Sequence, residues 1–423
     1  MRMKWDCTKR VLFTLVVILL NLTLANIPVP GVDRDSLAEV FRLYDVLGYA
    51  DTLAGGGLSN LSITGFGISS YITASIILQL LSVAFPSLDL TRMGAYGRRV
   101  YQRINILTSV ALTFLCGMAL VLTSRGSWGE AWYLPVTSLL CWMMGTGLIT
   151  VLAVKIEEFG IGNGVSLILT SNILSSVPAQ VYDSIQSAPN GVVTVTVFLI
   201  LIFVMYMACA YCHKIRLEIP LIQEQKAKTE FNEKPVLMIP ANVSGVLPVV
   251  YASVLLSIPS VILSVTGLDE AEIGKGILCV CSSNCWYRPE HWYYSLGIFI
   301  YLFLVGVFCR ISSRMSFNSH EIVNRMKQTG DVIEGVLPGE PTVDYLERRR
   351  KWMSNIGFLF LAFLSMVPDA VCVYLGVSQV RFFGSSMIIV FSTLRDLGMR
   401  LKSVGLINRK RQFQLFFSKE AYK

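Results

Sequence analysis

Ten apolar runs divide this chain, and they restrict its fold more than any single motif does. They cover about residues 11–27, a second ending near 83, then 104–124, 134–154, 164–182, 192–212, 241–265, 293–309, 353–373 and 382–399. Spans of roughly 17–25 residues match the hydrocarbon core of a bilayer. In lipid every backbone polar group needs an internal partner, so such runs fold as helices. Only 15% of the 423 residues are charged, against about 25% in an ordinary soluble chain. The sequence therefore predicts an all-α integral membrane protein with ten transmembrane helices.

The distribution of charge tests this layout. With the N-terminus in the cytoplasm, thirty of the 36 Lys and Arg residues fall in segments facing the cytoplasm. That bias is a strong orientation signal, and both termini are expected on the cytoplasmic side of the plasma membrane. Ten spans split into two sets of five, and an odd number per set inverts the second half relative to the first. The expected halves are residues 1–185 and 186–423. The first run, with Arg2, Lys4, Lys9 and Arg10 before it, also has the outline of a secretory signal peptide. The apolar spans that follow at once favour a retained helix.

The stretch Gly55–Ser82, GGGLSNLSITGFGISSYITASIILQLLS, breaks the apolar pattern. Gly- and Ser-rich backbone does not sit stably in lipid unless protein covers it or it lines a cavity. It reads as a half-inserted plug, about 51–67, followed by a pore-lining helix from Ile72. The plainer reading is a loop before an ordinary span. GIGNG at 160–164 outwardly resembles a glycine-rich phosphate loop, but no strand precedes it and a span follows, so a tight turn is expected. Gly274-Lys275 is followed by Gly276, so this is no Walker A loop. The three His are dispersed and no metal-ligand spacing is present, so no cofactor is expected. Cys279, Cys281 and Cys285 share one loop on the oxidising side; one disulfide or free thiols both fit their spacing.

Several stretches, taken together and in order, resemble the SecY family, the channel subunits of the Sec protein translocase. They are IPVPGVD (27–33), GGGLS (55–59), YITASIILQLL (71–81), GRR (97–99), FGIGNGVSLIL (159–169), NVSGVLPVVYAS (242–253), FN–E within 317–321, KQTG (327–330), LPGEPTVDYLERR (337–349) and FFGSSMIIV (382–390). The resemblance implies a SecY-type channel of two inverted five-helix halves. It translocates unfolded secretory preproteins and releases hydrophobic segments into membrane lipid through a lateral gate. That gate would lie between the second and third spans and the seventh and eighth.

By position, the family's apolar pore ring falls on Ile72, Ile76, Leu169, Val250 and Ile389. Its plug falls on Gly55, Gly56, Gly57, Leu58, Ser59 and Ile63. Docking of a cytoplasmic partner falls on Lys214, Arg216, Lys226 and Lys228 after the sixth span, and on Arg325, Lys327, Leu337, Arg348 and Arg349 after the eighth. The implied partners are a SecE-like subunit, a SecG-like subunit, and a SecA-type motor or ribosome. Simple positive-inside topology also accounts for many of these charges.

Departures from the family pattern cluster at the docking loops. Leu337 stands where an arginine is usual, FNSHE carries Ser319 and His320, and the loop at 213–240 mixes its lysines with Glu218, Glu224, Glu230 and Glu233. In the spans, Asn21 replaces a common arginine and Ser69-Ser70 replace Met-Pro. These changes suggest a divergent or accessory member. The alternative function is a secondary transporter with inverted repeats moving a small solute. It calls for ionisable pairs near the midplane, and the spans are almost free of them.

Overall fold

The computed structural model describes residues 7–30, 61–85, 94–123, 133–187, 191–223, 236–266, 272–281, 286, 295–374 and 383–420. The helices are α1 (Cys7–Asn26), α2 (Gly67–Ala84), α3 (Gly94–Thr123), α4 (Tyr133–Phe159), α5 (Gly164–Ser187), α6 (Gly191–Cys212), α7 (Leu247–Thr266), α8 (Glu272–Cys281), α9 (Leu296–Ser316), α10 (Ser319–Thr329), α11 (Glu340–Tyr374) and α12 (Phe383–Glu420). Three strands, β1 (Arg216–Gln223), β2 (Val236–Pro240) and β3 (Asp331–Ile333), lie between them. Six helical stretches are long and apolar enough to cross a membrane; 67–82, 164–178 and 247–256 are shorter apolar helices.

The chain forms two compact units. One comprises Met1–Ile76, Gln102–Asp183 and Ile389–Lys423; the other comprises Ile77–Tyr101 and Ser184–Ile388.

Helix α2 starts at Gly67, earlier than its apolar run suggests. The Ser69 hydroxyl donates to the Phe66 carbonyl at 2.9 Å and Thr73 to the Ser69 carbonyl at 3.0 Å. Hydroxyls bonded to the helix's own backbone are satisfied without water, so a polar-looking segment is helical. In the first unit, α1 packs on α4, with Phe13 and Phe159 edge to face at 6.5 Å. The 160–164 turn is a tight structural turn. Gly162 has φ +99°, and a Cβ on Gly164 would overlap the Ala153 carbonyl. The Ile161 N–H donates to the Thr14 hydroxyl at 3.1 Å, tying the turn to α1.

In the second unit, the segments expected as polar loops after α6 and α9 fold into one platform. The antiparallel sheet has strand order β2-β1-β3, with Leu217 opposite Ile239 and Leu221 opposite Ile333. Alternation places Ile219, Ile239 and Ile333 inward, where they join Val323, Met326, Val343, Leu346 and Met353 in one core. Arg216, Glu218 and Met238 face outward.

Helix α10 has well-defined ends. The Asn318 side chain accepts from the Glu321 N–H at 3.4 Å, and Gly330 closes the helix at φ +71°. The FN–E and KQTG motifs therefore supply an N-cap and a left-handed C-cap. Asn318→Ala should cost about 1 kcal/mol locally. Hydrogen exchange should then quicken in α10 and β3 while α7 and α9 keep their protection.

Helix α11 runs from this platform into the apolar part of the unit, where its Asp369 carboxylate accepts the Gly384 N–H at 3.1 Å. A Cβ on Gly384 would stand 2.5 Å from the Ser365 carbonyl. The first turn of α12 is thus packed and capped by α11.

Candidate channel waist, plug seat and docking surface

The five ring candidates come from four helices: Ile72 and Ile76 from α2, Leu169 from α5, Val250 from α7 and Ile389 from α12. None is more than 2% exposed. Apolar helix periodicity puts Ile72 and Ile76 on one face, one turn apart. Ser253, one turn past Val249, donates its hydroxyl to the Val249 carbonyl at 3.0 Å. The α7 surface around Val250 therefore presents no unsatisfied hydroxyl from that residue.

Of the plug candidates, Ile63 is described. Gly55, Gly56, Gly57, Leu58 and Ser59 lie outside the described residues. The segment 61–66 has a defined seat in the first unit. The Val29 N–H donates to the Leu61 carbonyl at 2.9 Å and the Ile63 N–H to the Ile27 carbonyl at 3.1 Å. Leu61, Val29, Leu139 and Trp142 form a small core with Ile63 and Phe66 against it, and Phe66 meets Trp142 edge to face at 5.3 Å.

The seat depends on Gly145 in α4. A Cβ there would overlap the Ile63 carbonyl oxygen, so only glycine admits this approach. Sequence reasoning missed Gly145. Its signal was a glycine inside an apolar run, which often marks a close backbone approach.

The docking candidates that are described lie on the platform of the second unit. Lys214 lies in the turn before β1 and Arg216 begins that strand, Arg325 and Lys327 are on α10, and Arg348 and Arg349 on α11, all exposed. Lys226 and Lys228 fall outside the described residues. Two of the six exposed cations are engaged locally: Arg325 pairs with Glu321 at 2.7 Å, and Arg349 lies over the Tyr345 ring at 5.1 Å. A third, Arg216, donates to the His213 carbonyl at 3.4 Å.

Leu337 is 75% exposed in the turn before α11. It serves no part of the platform core. Arg350, next to the two exposed arginines, points inward instead and donates to the Ser313 hydroxyl at 3.2 Å. Three successive helical positions cannot share one face, so a run of arginines divides between surface and interior.

Among the described residues no group of His, Cys, Asp and Glu could hold a metal ion. Cys279 and Cys281 lie on α8, with Cys281 buried, and Cys285 lies outside the described residues. Trp286 donates its indole N–H to the Val280 carbonyl at 2.7 Å, fixing the end of α8.

Comparison with known proteins agrees with this architecture. The SecY family model matches residues 62–397. The protein translocase subunit SecY of Thermus thermophilus is 28% identical over 432 residues, covering 98% of this chain and 95% of its own. That of Synechocystis is 29% identical over 413 residues, covering 95% and 92%. A solved structure of a protein-conducting channel superposes with a TM-score of 0.64 at 14% identity, covering 95% of this chain and 94% of the other. Sec61 from a canine ribosome–channel complex superposes at 0.61 and 15% identity, covering 95% and 94%. The family match spans most of the chain and its fold is that of these channels; the chain belongs to the SecY family.

Proposed function

We propose that this SecY-family chain is the pore subunit of a protein translocase. Its waist is closed by Ile72, Ile76, Leu169, Val250 and Ile389 and plugged by the segment that includes Ile63. The observation that carries this reading is the SecY family match over residues 62–397, with which the burial of all five branched aliphatic side chains agrees. A narrow aliphatic neck excludes ordered water and ions by dewetting. It parts around an extended chain of any sequence, because its contacts are nonspecific. The plug segment adds a second barrier held by few hydrogen bonds and a small apolar contact, so it leaves at modest cost.

The two halves, residues 1–185 and 186–423, are inverted repeats, with both termini in the cytoplasm of a cell bounded by the plasma membrane. Release of hydrophobic segments to lipid takes place between α2 and α3 on one side and α7 and α9 on the other. A SecE-like subunit clamps the halves, with a SecG-like subunit beside it. A SecA-type motor or a ribosome supplies the energy. Among proteins of this fold, the yeast Ssh1 complex was solved bound to the 80S ribosome. An ion-coupled transporter is disfavoured. The carboxylate of Asp369 is committed to the Gly384 N–H rather than to a partner cation.

The test places one cysteine in a stalled secretory client and one at Ile76 or Val250, in a background without native Cys. Translocation is driven by the cognate motor and the thiols are oxidised. Crosslinks that advance along the client as it moves are expected. Full translocation with no crosslink at either position would refute the waist assignment.

The docking surface is tuned away from a standard motor. Arginine in place of Leu337 adds a cation at a fully presented position of the platform. Leu337→Arg should raise translocation with a standard SecA several-fold and leave the client's path unchanged. Unchanged rates over a SecA titration would show that docking was not altered at this turn.

A further inference from the structure

We infer that the hydrogen bond between Asn21 and Asn172 is an intramembrane latch that sets the position of Leu169 in the waist. This rests on the waist assignment above. Asn21 lies in α1 and Asn172 in α5, both within the first unit, and the Asn21 Nδ2 donates to the Asn172 Oδ1 at 2.7 Å. The two side chains are 2% and 3% exposed. Each sits in an apolar helix, Thr8–Asn26 and Gly164–Pro178. Buried Val17, Ile168, Leu169 and Ile173 come from the same two helices.

An amide in such surroundings has no water to fall back on, so separating the pair takes from the buried Asn21 amide its acceptor. Two apolar faces would pack in many registers; one amide pair selects one rotation and one depth. Asn172 is three residues beyond Leu169 and belongs to the same turn. What holds Asn172 therefore holds Leu169.

The position of this turn within α5 strengthens the assignment. The helix is fixed at its start, where Gly164 packs on Ala153. Pro178 follows six residues after Asn172, and proline leaves the carbonyl four residues earlier without its helical partner. The helix is thus compliant beyond the latch. The hydroxyls of Ser171 and Ser176 are spent on their own helix, donating to the Ile168 and Ile173 carbonyls at 2.8 and 3.1 Å. Opening the waist moves Leu169 outward against this interhelical bond.

The full chain, purified with its cognate partner subunits, is tested in planar bilayers and in client transport. Asn21→Leu and Asn172→Leu are each expected to raise the resting ion conductance about three- to thirty-fold, the range set by interhelical hydrogen bonds in bilayers. Each should also raise export of a client with a defective signal relative to an intact one, a ratio that a general loss of folded protein leaves unmoved. The double variant should leak no more than the leakier single variant, because both remove one bond. Should the leucine variants fail to accumulate, Asn21→Ala and Asn172→Ala remove the bond without added bulk and carry the same expectation.

Leu169→Gly is the reference. If it leaks and the asparagine variants are as tight as the parent, the latch is overturned and the waist stands. If the double variant leaks by the product of the single effects, the two residues act separately and the latch is overturned. If Leu169→Gly itself is tight, the waist assignment falls and the latch falls with it.

Discussion

Valine in place of Gly145 is expected to open the resting channel to ions. The residue sits in α4 beneath the backbone of Ile63, and even a methyl group there would overlap the Ile63 carbonyl oxygen. The obstruction is backbone on the plug side and the helix axis on the other, so neither can yield by a rotamer change. Forced overpacking costs about 1–3 kcal/mol. At about 1.4 kcal/mol per tenfold change, the seated segment loses about five- to a hundred-fold in occupancy. Conductance of the purified complex without client should rise by a similar factor, and a thiol placed at Ile63 should become more reactive. Gly147→Val, two residues along the same helix, is the control. Its Cβ would meet only Val110 at 3.8 Å, and little change is expected. A tight Gly145→Val channel with normal thiol reactivity at Ile63 would show that this seat is no part of the seal.

Gly164→Val should have the largest effect on folding. Its Cβ would overlap the carbonyl of Ala153, main chain against main chain, where α4 hands over to α5. The neighbouring contact of Ile161 with Thr14 links the same turn to α1, so a shift there disturbs three helices. Destabilisation above about 4 kcal/mol comes from a short list of mechanisms, and overpacking against fixed main chain is one of them. The level of folded protein in the membrane should fall more than tenfold. Gly276→Ala, with nothing within 4 Å of its Cβ, should accumulate normally. Normal accumulation of Gly164→Val would mean that the turn rearranges freely, and the structural account of GIGNG would be wrong.

The apolar helices were legible from hydropathy and length, and six of those described are long and apolar enough to cross a membrane. Their ends were less so. Ser69 looks like a loop residue in a linear reading, yet its hydroxyl bonds back onto the helix. The platform was harder. The alternation of Ile215, Leu217, Ile219 and Leu221 with Arg216 and Glu218 is a strand signal, but the mixture of charges in that loop read as solvated surface. Strand β3 is three residues long and exists because Leu221 finds Ile333, over a hundred residues away. No local pattern announces such a pairing.

Motifs recognised as a family signature gained a physical meaning that recognition did not supply. Asn318 and Gly330 end a helix, whatever docks nearby. The reverse holds for the waist: its five residues were assigned by resemblance, since burial of an isoleucine does not by itself separate a pore neck from ordinary packing. Asn21 was visible as a departure from the family. Its partner Asn172 was not, because a contact across 151 residues leaves no trace in spacing.

Helix α11 has 35 residues, about 52 Å at 1.5 Å per residue. Its base is clamped in the platform core by Val343, Leu346 and Met353. Its far end holds the first turn of α12 through Asp369 and Gly384. Ile389 follows Gly384 by little more than one turn of the same helix. A single helix therefore joins the exposed Arg348 and Arg349 of the platform to the first turn of α12. Asp369 stands about 24 Å beyond Met353 along this helix, so a tilt of one degree about the base displaces it by about 0.4 Å. A push on the platform end of this helix therefore carries to the first turn of α12 with no further element between them.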